Sequence, residues 1–564
     1  MSCLPTTRCV TRGGLALVLL ASPLAAAAQP SPSGSRPNIL WILVEDASPD
    51  IGAYGDTYAR TPRLDQLAKE GVRFTHAFST APVCAPSRST LFTGMYASST
   101  GALHMRSTAV PPPYVKGVGE YLRAAGYFTF NREKTDYNIS ATPTEDNSGG
   151  LLFRTVPLGA WDESGPQAHW RHRTPGQPFF GVISPQVTHE SRLFMPADQF
   201  AKEAAHLKAE DRHDPARAVL PPYYPDTPVA RANWARYYDT WTEADYQVAD
   251  ILRELDEDGL AANTVVIFAS DHGRGFPRAK RWAYDSGVHV PLIVRWPGRF
   301  APGTVRDDLV SFIDLPVTTL ALAGVPVPRH FQGQVFLGPT QAPPREYVYV
   351  HRDRMDTVSD TIRAVRDRRY KYIRNFVPER PYAQVIPYPE QVPMLQEWRR
   401  AFTEGLLKGP QLLFFAPRKP AEELYDTEND PHEVVNLADR ASERPRLERL
   451  RAALQAWMKD TGDLGLVPEQ ELKERMRPGG AWQTAAIPDI VPPGGSIAAP
   501  VQVQLSCATD GGTIVYTTEA GDAPRWLLYT RPITLSTPAQ LRVRCARLGY
   551  QDSAERRVTF TVAQ

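Results

Sequence analysis

Residues 38–44, Asn-Ile-Leu-Trp-Ile-Leu-Val, form an unbroken, mostly apolar run that stops on two adjacent carboxylates, Glu45 and Asp46. A strand apolar on both sides must be covered on both faces, the situation of a parallel strand inside an α/β sheet. In such sheets ligands collect beyond the carboxyl ends of the strands. Glu45 and Asp46 therefore stand where a site is expected. Further strand patterns at 127–130, 178–184, 264–270 and 290–295 alternate with helical patterns at 61–71, from Ser89 onward, 118–126 and 233–255. This alternation predicts an α/β fold with a central, mostly parallel sheet and helices on both faces.

After Arg345 the pattern changes to short alternating strands at 347–350, 361–365 and 371–374, followed by a helix at 442–459. A smaller antiparallel subdomain is expected over 341–477, after a main domain over 36–340. Residues 478–495 are rich in Pro, Gly and Ala and read as a linker. Short strands at 501–507, 513–517, 533–535 and 541–545 then predict a small β-sandwich over 496–564. With 564 residues, two or three domains are expected, and 53 prolines imply long ordered loops.

The formal charge of +1 gives no basic excess, so nothing points to nucleic acid, and the charged runs between Glu422 and Arg451 read as solvated surface. Residues 1–28 carry Arg8 and Arg12, an apolar run at 15–20 and four alanines at 25–28, the layout of a cleaved secretory signal. That run falls short of the ~20 residues needed to span a bilayer, and no later segment is long and apolar enough. An exported protein, periplasmic or secreted, is expected. Behind the signal only Cys84, Cys507 and Cys545 remain. In an oxidising compartment the last two can pair, contributing at most ~4 kcal/mol by loop closure, or stay as free buried thiols. Either way Cys84 stands alone, as a nucleophile or as a buried spectator.

Cys84-Ala85-Pro86-Ser87-Arg88, continuing through Leu91 to Gly94, resembles the sequence at which type I sulfatases convert cysteine to formylglycine. The resemblance extends over roughly 36–475 and implies an alkaline-phosphatase-like fold. It implies maturation of Cys84 by a formylglycine-generating enzyme. One hydroxyl of the hydrated aldehyde then attacks sulfur, and loss of the other's proton releases sulfate. It also implies one divalent cation, calcium with magnesium as the alternative, held by Glu45, Asp46, the Cys84-derived group, Asp271 and His272, since clustered carboxylates repel without a compensating cation. Family members usually carry aspartate where Glu45 stands. Arg88, one helical turn after Cys84, matches the arginine that steadies the diol. Lys134 matches a sulfate-binding lysine, whereas Asp136 replaces the usual histidine two residues on. His189 aligns with a histidine suited to protonate the leaving alcohol, and Lys280 with a basic residue that grips sulfate oxygens.

Gly101-Ala102-Leu103-His104 resembles the heparan N-sulfatase branch. His104, Arg106, Asp136, His169 and Arg171 are candidate contacts for a sulfated carbohydrate, with Trp161, Asp162 and Trp170 as further pocket walls. Glu423 to Pro431 resembles the small subdomain of sulfatases, and the terminal segment around Ile514-Val515-Tyr516-Thr517-Thr518 resembles the immunoglobulin-like module that ends chitobiase-type enzymes. The implied activity is hydrolysis of a sulfate ester or N-sulfate. A phosphonate or phosphate diester hydrolase using the same site, and a non-catalytic protein that binds sulfated glycans, are the competing readings.

Overall fold

The computed structural model describes residues 36–562 apart from 133, 140–143, 146–150, 153–156 and 499. The expected signal segment, 1–28, lies outside the described residues. From Arg36 onward the chain forms one compact unit. At its centre is an eight-stranded sheet built from β1 (Asn38–Val44), β2 (Val72–Phe78), β3 (Phe128–Arg132), β4 (Glu163–Ser164), β5 (Phe179–Ile183), β6 (Thr264–Ser270), β7 (His289–Arg295) and β8 (Thr304–Ser311), in the order β8-β2-β7-β6-β1-β5-β3-β4. Only β7 runs against its neighbours, β2 and β6. The other pairings are parallel.

Strand β1 is buried at all seven positions and lies between β5 and β6. Its alternate side chains feed two separate cores. Leu40, Ile42 and Val44 face helices α1 (Pro62–Glu70) and α4 (Pro228–Glu257), whereas Ile39, Trp41 and Leu43 face α2 (Cys84–Thr93), α3 (Val118–Ala124) and α5 (Asp314–Leu322). Helix α4 starts where Thr227 accepts a hydrogen bond from the Ala230 amide at 3.2 Å and Pro228 takes the first helical position. Trp234, Tyr237, Trp241, Val248 and Leu255 then anchor it to the sheet.

Helix α2 begins at Cys84, five residues before the helical pattern expected from Ser89. Pro86 does not prevent this, because an amide in the first turn has no intrahelical acceptor to lose. All ten residues of α2 are buried, so its hydroxyls need internal partners. Ser87 Oγ donates to Asp271 O at 2.6 Å and Thr93 Oγ1 to Ser89 O at 2.8 Å.

The second sheet, β9 (Val348–Arg352), β10 (Ile362–Arg366), β11 (Tyr370–Asn375) and β12 (Glu422–Asp426), is antiparallel throughout. It is backed by α6 (Arg444–Asp460) through Leu447, Leu450, Leu454 and Trp457. Two sheets of three and five strands then form the terminal sandwich around Val503, Leu541, Val543 and Phe560. Its first strand, Asp489–Val491, pairs with Val501–Ser506, so the module begins inside the stretch expected to be linker. Lys116 and Glu120 both bond the Thr513 hydroxyl, at 2.6 and 2.5 Å, and Arg123 donates to Trp526 O at 2.8 Å. These contacts tie the module to the main body.

A disulfide joins Cys507 to Cys545 across 38 residues. Replacing both cysteines with alanine should cost the module ~4 kcal/mol by loop entropy. In denaturant, amide protection across 501–546 should disappear before that of β1 and β6. Simultaneous loss in mutant and parent alike would show that the bridge does not carry this stability.

Candidate active site

Val44 pairs with Ser270, so β1 and β6 end side by side and deliver Glu45-Asp46 and Asp271-His272 to one place. Asp46 adopts a left-handed backbone, φ 48°, which aspartate tolerates better than most side chains. Its amide donates to Asp271 Oδ1 at 3.0 Å. The first turn of α2 brings Cys84 against these carboxylates. Its Sγ lies 3.3 Å from His272 Nε2, 3.7 Å from Asp46 Oδ1 and 3.9 Å from Glu45 Oε2.

Four basic side chains close around this centre. Arg88 reaches Glu45, Asp271 Oδ2 at 3.2 Å and Ser184 Oγ at 3.2 Å. Lys134 pairs with Glu45, while Lys280 donates to Asp46 Oδ2 at 2.6 Å and lies 2.8 Å from Glu190 Oε1. Arg281 forks onto Glu190 at 2.7 and 2.8 Å. Glu45, Asp46, Asp271 and Glu190 thus face Arg88, Lys134, Lys280 and Arg281, and the formal charges cancel when the histidines are neutral. Glu45, Asp46 and Asp271 are fully buried. That burial is sustainable only because each charge is paired.

The environment pushes each titration in a readable direction. Burial alone would raise the Asp46 carboxyl, yet Lys280, the strongest opposing charge, helps hold it well below the usual range. Burial works against a protonated His272, but Asp271 and Asp46 hold its ring well above the ordinary value. Burial pushes the Cys84 thiol up despite Lys134 and Lys280, making the unmodified thiol a poor nucleophile. His189 lies 4.0 Å from Asp46 Oδ2, with Ser191 Oγ 2.9 Å from its Nδ1. Burial, reinforced by Lys280 and Lys134, drops its imidazole to about 4.

The residues present fit a divalent cation. Ligand atoms of Asp46, Cys84, Asp271 and His272 all lie within 4.8 Å of one another, as do those of Glu45, Asp46, Cys84 and His189. Each cluster offers two buried carboxylates and one imidazole around Cys84, and Asp46 belongs to both, an anionic and largely hard donor set. His272 Nδ1 sits 2.9 Å from Gly273 O, which orients the ring and leaves Nε2 toward the centre.

Of the candidate sugar contacts, Asp136 lies 3.9 Å from Lys134, and Arg106 lies 3.9 Å from Asp356 at the partly exposed rim. His104 accepts from the Arg354 amide at 3.2 Å and stands 3.9 Å from Glu469. Its loop is held by Asn138, whose amide donates to Ala102 O and His104 O at 2.8 and 2.7 Å. His169 and Arg171, expected as pocket walls, are not brought to the centre. Trp170 inserts into the core against Phe179 and fixes the turn, leaving His169 on Glu254 at 3.2 Å and Arg171 on Asp258 at 2.8 Å, both at the far end of α4. Trp161 stacks on Phe180, and Asp162 pairs with Arg123. Both residues serve packing.

Sequence reasoning missed Glu190, Arg281 and Tyr388. Glu190 and Arg281 each adjoin a residue singled out by the motifs, His189 and Lys280, and an acid and a base in those positions were the available signal. Tyr388 is half-buried beside His189, their ring centres 6.3 Å apart, and packs edge-on against Phe194. Nothing in its local sequence marks it.

Residues 37–325 match the sulfatase family, 275–384 the C-terminal part of N-sulphoglucosamine sulphohydrolase, and 492–556 the chitobiase/beta-hexosaminidase C-terminal domain. An ulvan-active sulfatase of Formosa agariphila is 36% identical, with 92% of this chain and 90% of that protein covered. Human N-sulphoglucosamine sulphohydrolase is 28% identical over 79% of this chain and 94% of its own length. Among solved structures, a 2-O GAG sulfatase superposes with a TM-score of 0.53 at 23% identity, covering 76% of this chain and 93% of that one. With a match over half its length and a 36% identical relative across nearly all of it, the chain belongs to the sulfatase family.

Proposed function

We propose that this sulfatase hydrolyses a sulfate ester or N-sulfate of a carbohydrate, with formylglycine derived from Cys84 as nucleophile and calcium, or alternatively magnesium, held by Glu45, Asp46, Asp271 and His272. The observation that carries the reading is the balanced charge around Cys84. Four buried acids and four bases cancel, so a bound cation leaves the pocket two charges positive, complementary to a sulfate group. Hydrated formylglycine supplies one hydroxyl to attack sulfur and a second whose deprotonation expels sulfate.

The remaining steps belong to side chains. Lys134 and Lys280 approach the centre from opposite carboxylates, Glu45 and Asp46, positions from which their ammonium groups can take sulfate oxygens. Arg88 holds Glu45 and Asp271 in place next to Cys84. Glu190 keeps Lys280 and Arg281 charged and oriented. His189 is neutral in the resting pocket, and the negative charge of a bound sulfate raises its affinity for a proton. It is then placed to protonate the departing oxygen. Tyr388 beside His189, Asp136 beside Lys134 and the partly exposed Arg106 are the groups assigned here to a sugar ring. Similarity to an ulvan-active sulfatase and to N-sulphoglucosamine sulphohydrolase supports a sulfated glycan as substrate. The Cys507–Cys545 bridge supports an exported protein, periplasmic or secreted, that meets a formylglycine-generating enzyme before or during export.

Protein from its native host should yield the tryptic peptide 74–88 with the Cys84 side chain CH2SH replaced by CHO. Free thiol throughout the purified active protein would sink the mechanism, as would retained turnover in Cys84→Ala. Chelation should abolish hydrolysis of 4-nitrophenyl sulfate and calcium should restore it, with one equivalent of metal found by elemental analysis. Faster turnover of aryl phosphonate esters than of any sulfate would favour the diesterase reading. His189→Ala should lower kcat by ~10²–10⁴-fold on a sugar sulfate. On 4-nitrophenyl sulfate, whose leaving group needs no proton, the loss should be much smaller, and equal losses on both would remove the general-acid role.

A further inference from the structure

The terminal sandwich and the main body enclose a cleft of about 770 Å³, lined by Arg123, Tyr127 and Gln177 on one wall and by Tyr516, Arg525 and Arg531 on the other. Tyr127 immediately precedes β3 and Gln177 lies two residues before β5. The cleft is therefore at the amino ends of these strands, whereas Cys84 and its cluster lie at the carboxyl ends. A five-residue strand separates the two by roughly 17 Å.

The charges in the cleft are not balanced. Arg123 is used structurally, donating to Leu158 O, Gly159 O and Trp526 O, and its charge is met by Asp162 at 3.1 Å on the same wall. Arg525 lies 5.4 Å over the Phe128 ring with its Nε buried and without a partner. Arg531 is exposed and makes no ion pair among the described residues. The nearby Glu519 accepts the Arg525 backbone amide at 2.8 Å but does not line the cleft. The second anomaly is Tyr127, only 2% exposed, whose hydroxyl is buried at the cleft wall with no hydrogen-bond partner. Buried hydroxyls are ordinarily satisfied, and an exception calls for a reason.

We propose that this cleft is a second, non-catalytic binding site for an anionic segment of a sulfated polysaccharide, gripping the polymer while the Cys84 centre works elsewhere on it. Planar guanidinium groups of Arg525 and Arg531 suit bidentate bonding to sulfate oxygens, the half-buried Tyr516 ring offers an apolar face, the unpartnered Tyr127 hydroxyl offers a hydrogen-bonding edge, and Gln177 supplies an amide for sugar hydroxyls. The identity of the occupant rests on the sulfated-carbohydrate reading of the active site.

The test uses full-length protein carrying Cys84→Ala, so that polymer is not consumed, titrated calorimetrically with ulvan, with heparin and with desulfated ulvan. Adding Arg525→Ala and Arg531→Glu should weaken binding of at least one sulfated polymer by tenfold or more. Tyr127→Phe should weaken it a few-fold without lowering Tm. In the Cys84 parent the same variants should raise KM for polymer while leaving 4-nitrophenyl sulfate turnover unchanged. Unchanged polymer affinity in the arginine variant overturns the proposal, and so does a Tyr127→Phe protein that gains Tm and binds as before, since the cleft is then only a seam between domains. Equal affinity for desulfated ulvan overturns the sulfate assignment. Polymer binding through the cleft in a parent that hydrolyses no sulfate would instead sink the catalytic reading and leave the cleft standing.

Discussion

Burying charge in matched sets is the constraint on which the rest of this molecule depends. An isolated carboxylate in a dry interior costs several kcal/mol, and removing one partner of a buried pair typically costs 3–5 kcal/mol. Around Cys84 the chain assembles four acids and four bases from the ends of β1, β3, β5 and β6, the second turn of α2 and the loop before β7. No single segment can supply such a set. The strand order β6-β1-β5-β3 places the four strand ends side by side, and a parallel sheet is the architecture that gathers chain-distant carboxyl ends on one edge.

The second sheet follows from the same constraint. Arg281, whose φ is 76°, is held by its amide on Pro82 O at 2.7 Å and by Arg352 Nε on its carbonyl at 3.0 Å. Arg352 is itself buried and paired with Asp360 at 2.6 Å, and in the adjacent strand Arg363 lies between Asp353 and Asp463. The antiparallel subdomain therefore braces the loop that carries Lys280 and Arg281. Close approach adds to this restriction, because a Cβ at Gly275 would lie 2.7 Å from Glu190 Cβ and 3.3 Å from Asp46 Oδ2. The loop can cross the site there only as glycine.

What the sequence disclosed follows from how local each signal is. β1 and β6 were legible to the residue, since a strand covered on both faces is apolar throughout and its ends are marked by the acids it delivers. β2 and β8 were not. Val72-Arg73-Phe74-Thr75-His76 and Thr304-Val305-Arg306-Asp307-Asp308 mix polar side chains into half-covered strands on one flank of the sheet, and the pairing of β2 with β8 on one side and β7 on the other is non-local. The start of α2 was hidden by Pro86 and a run of hydroxyl residues whose burial depends on partners in β6 and its loop. Cys84, Arg88, Lys134, His189 and Lys280 were reached through the resemblance of their motifs, and the fold gathers all five in one place, whereas His169 and Arg171 were misplaced because composition alone cannot distinguish an aromatic-basic cluster facing a pocket from one clamped to the end of a helix. Glu190 was overlooked for the opposite reason. A buried acid reveals itself only through the bases that the fold brings to it.

The cluster also explains why these motifs select a reaction without selecting a sugar. Among the described residues, the acids and bases around Cys84 engage one another, and what enters can exchange with those pairs only if it carries comparable negative charge in a compact form. In the proposed mechanism such a centre recognises a sulfate group whatever bears it. In that mechanism, discrimination among alcohols or amines falls to residues outside the four pairs, such as Tyr388 and Arg106. These belong to loops and to the subdomain, not to the strand ends, and neither pairs with a member of the cluster, so they can vary without disturbing the charge balance. The separation is physical: the buried pairs tolerate no substitution that leaves a charge alone, and the rim, wetter and weakly coupled to the pairs, tolerates many.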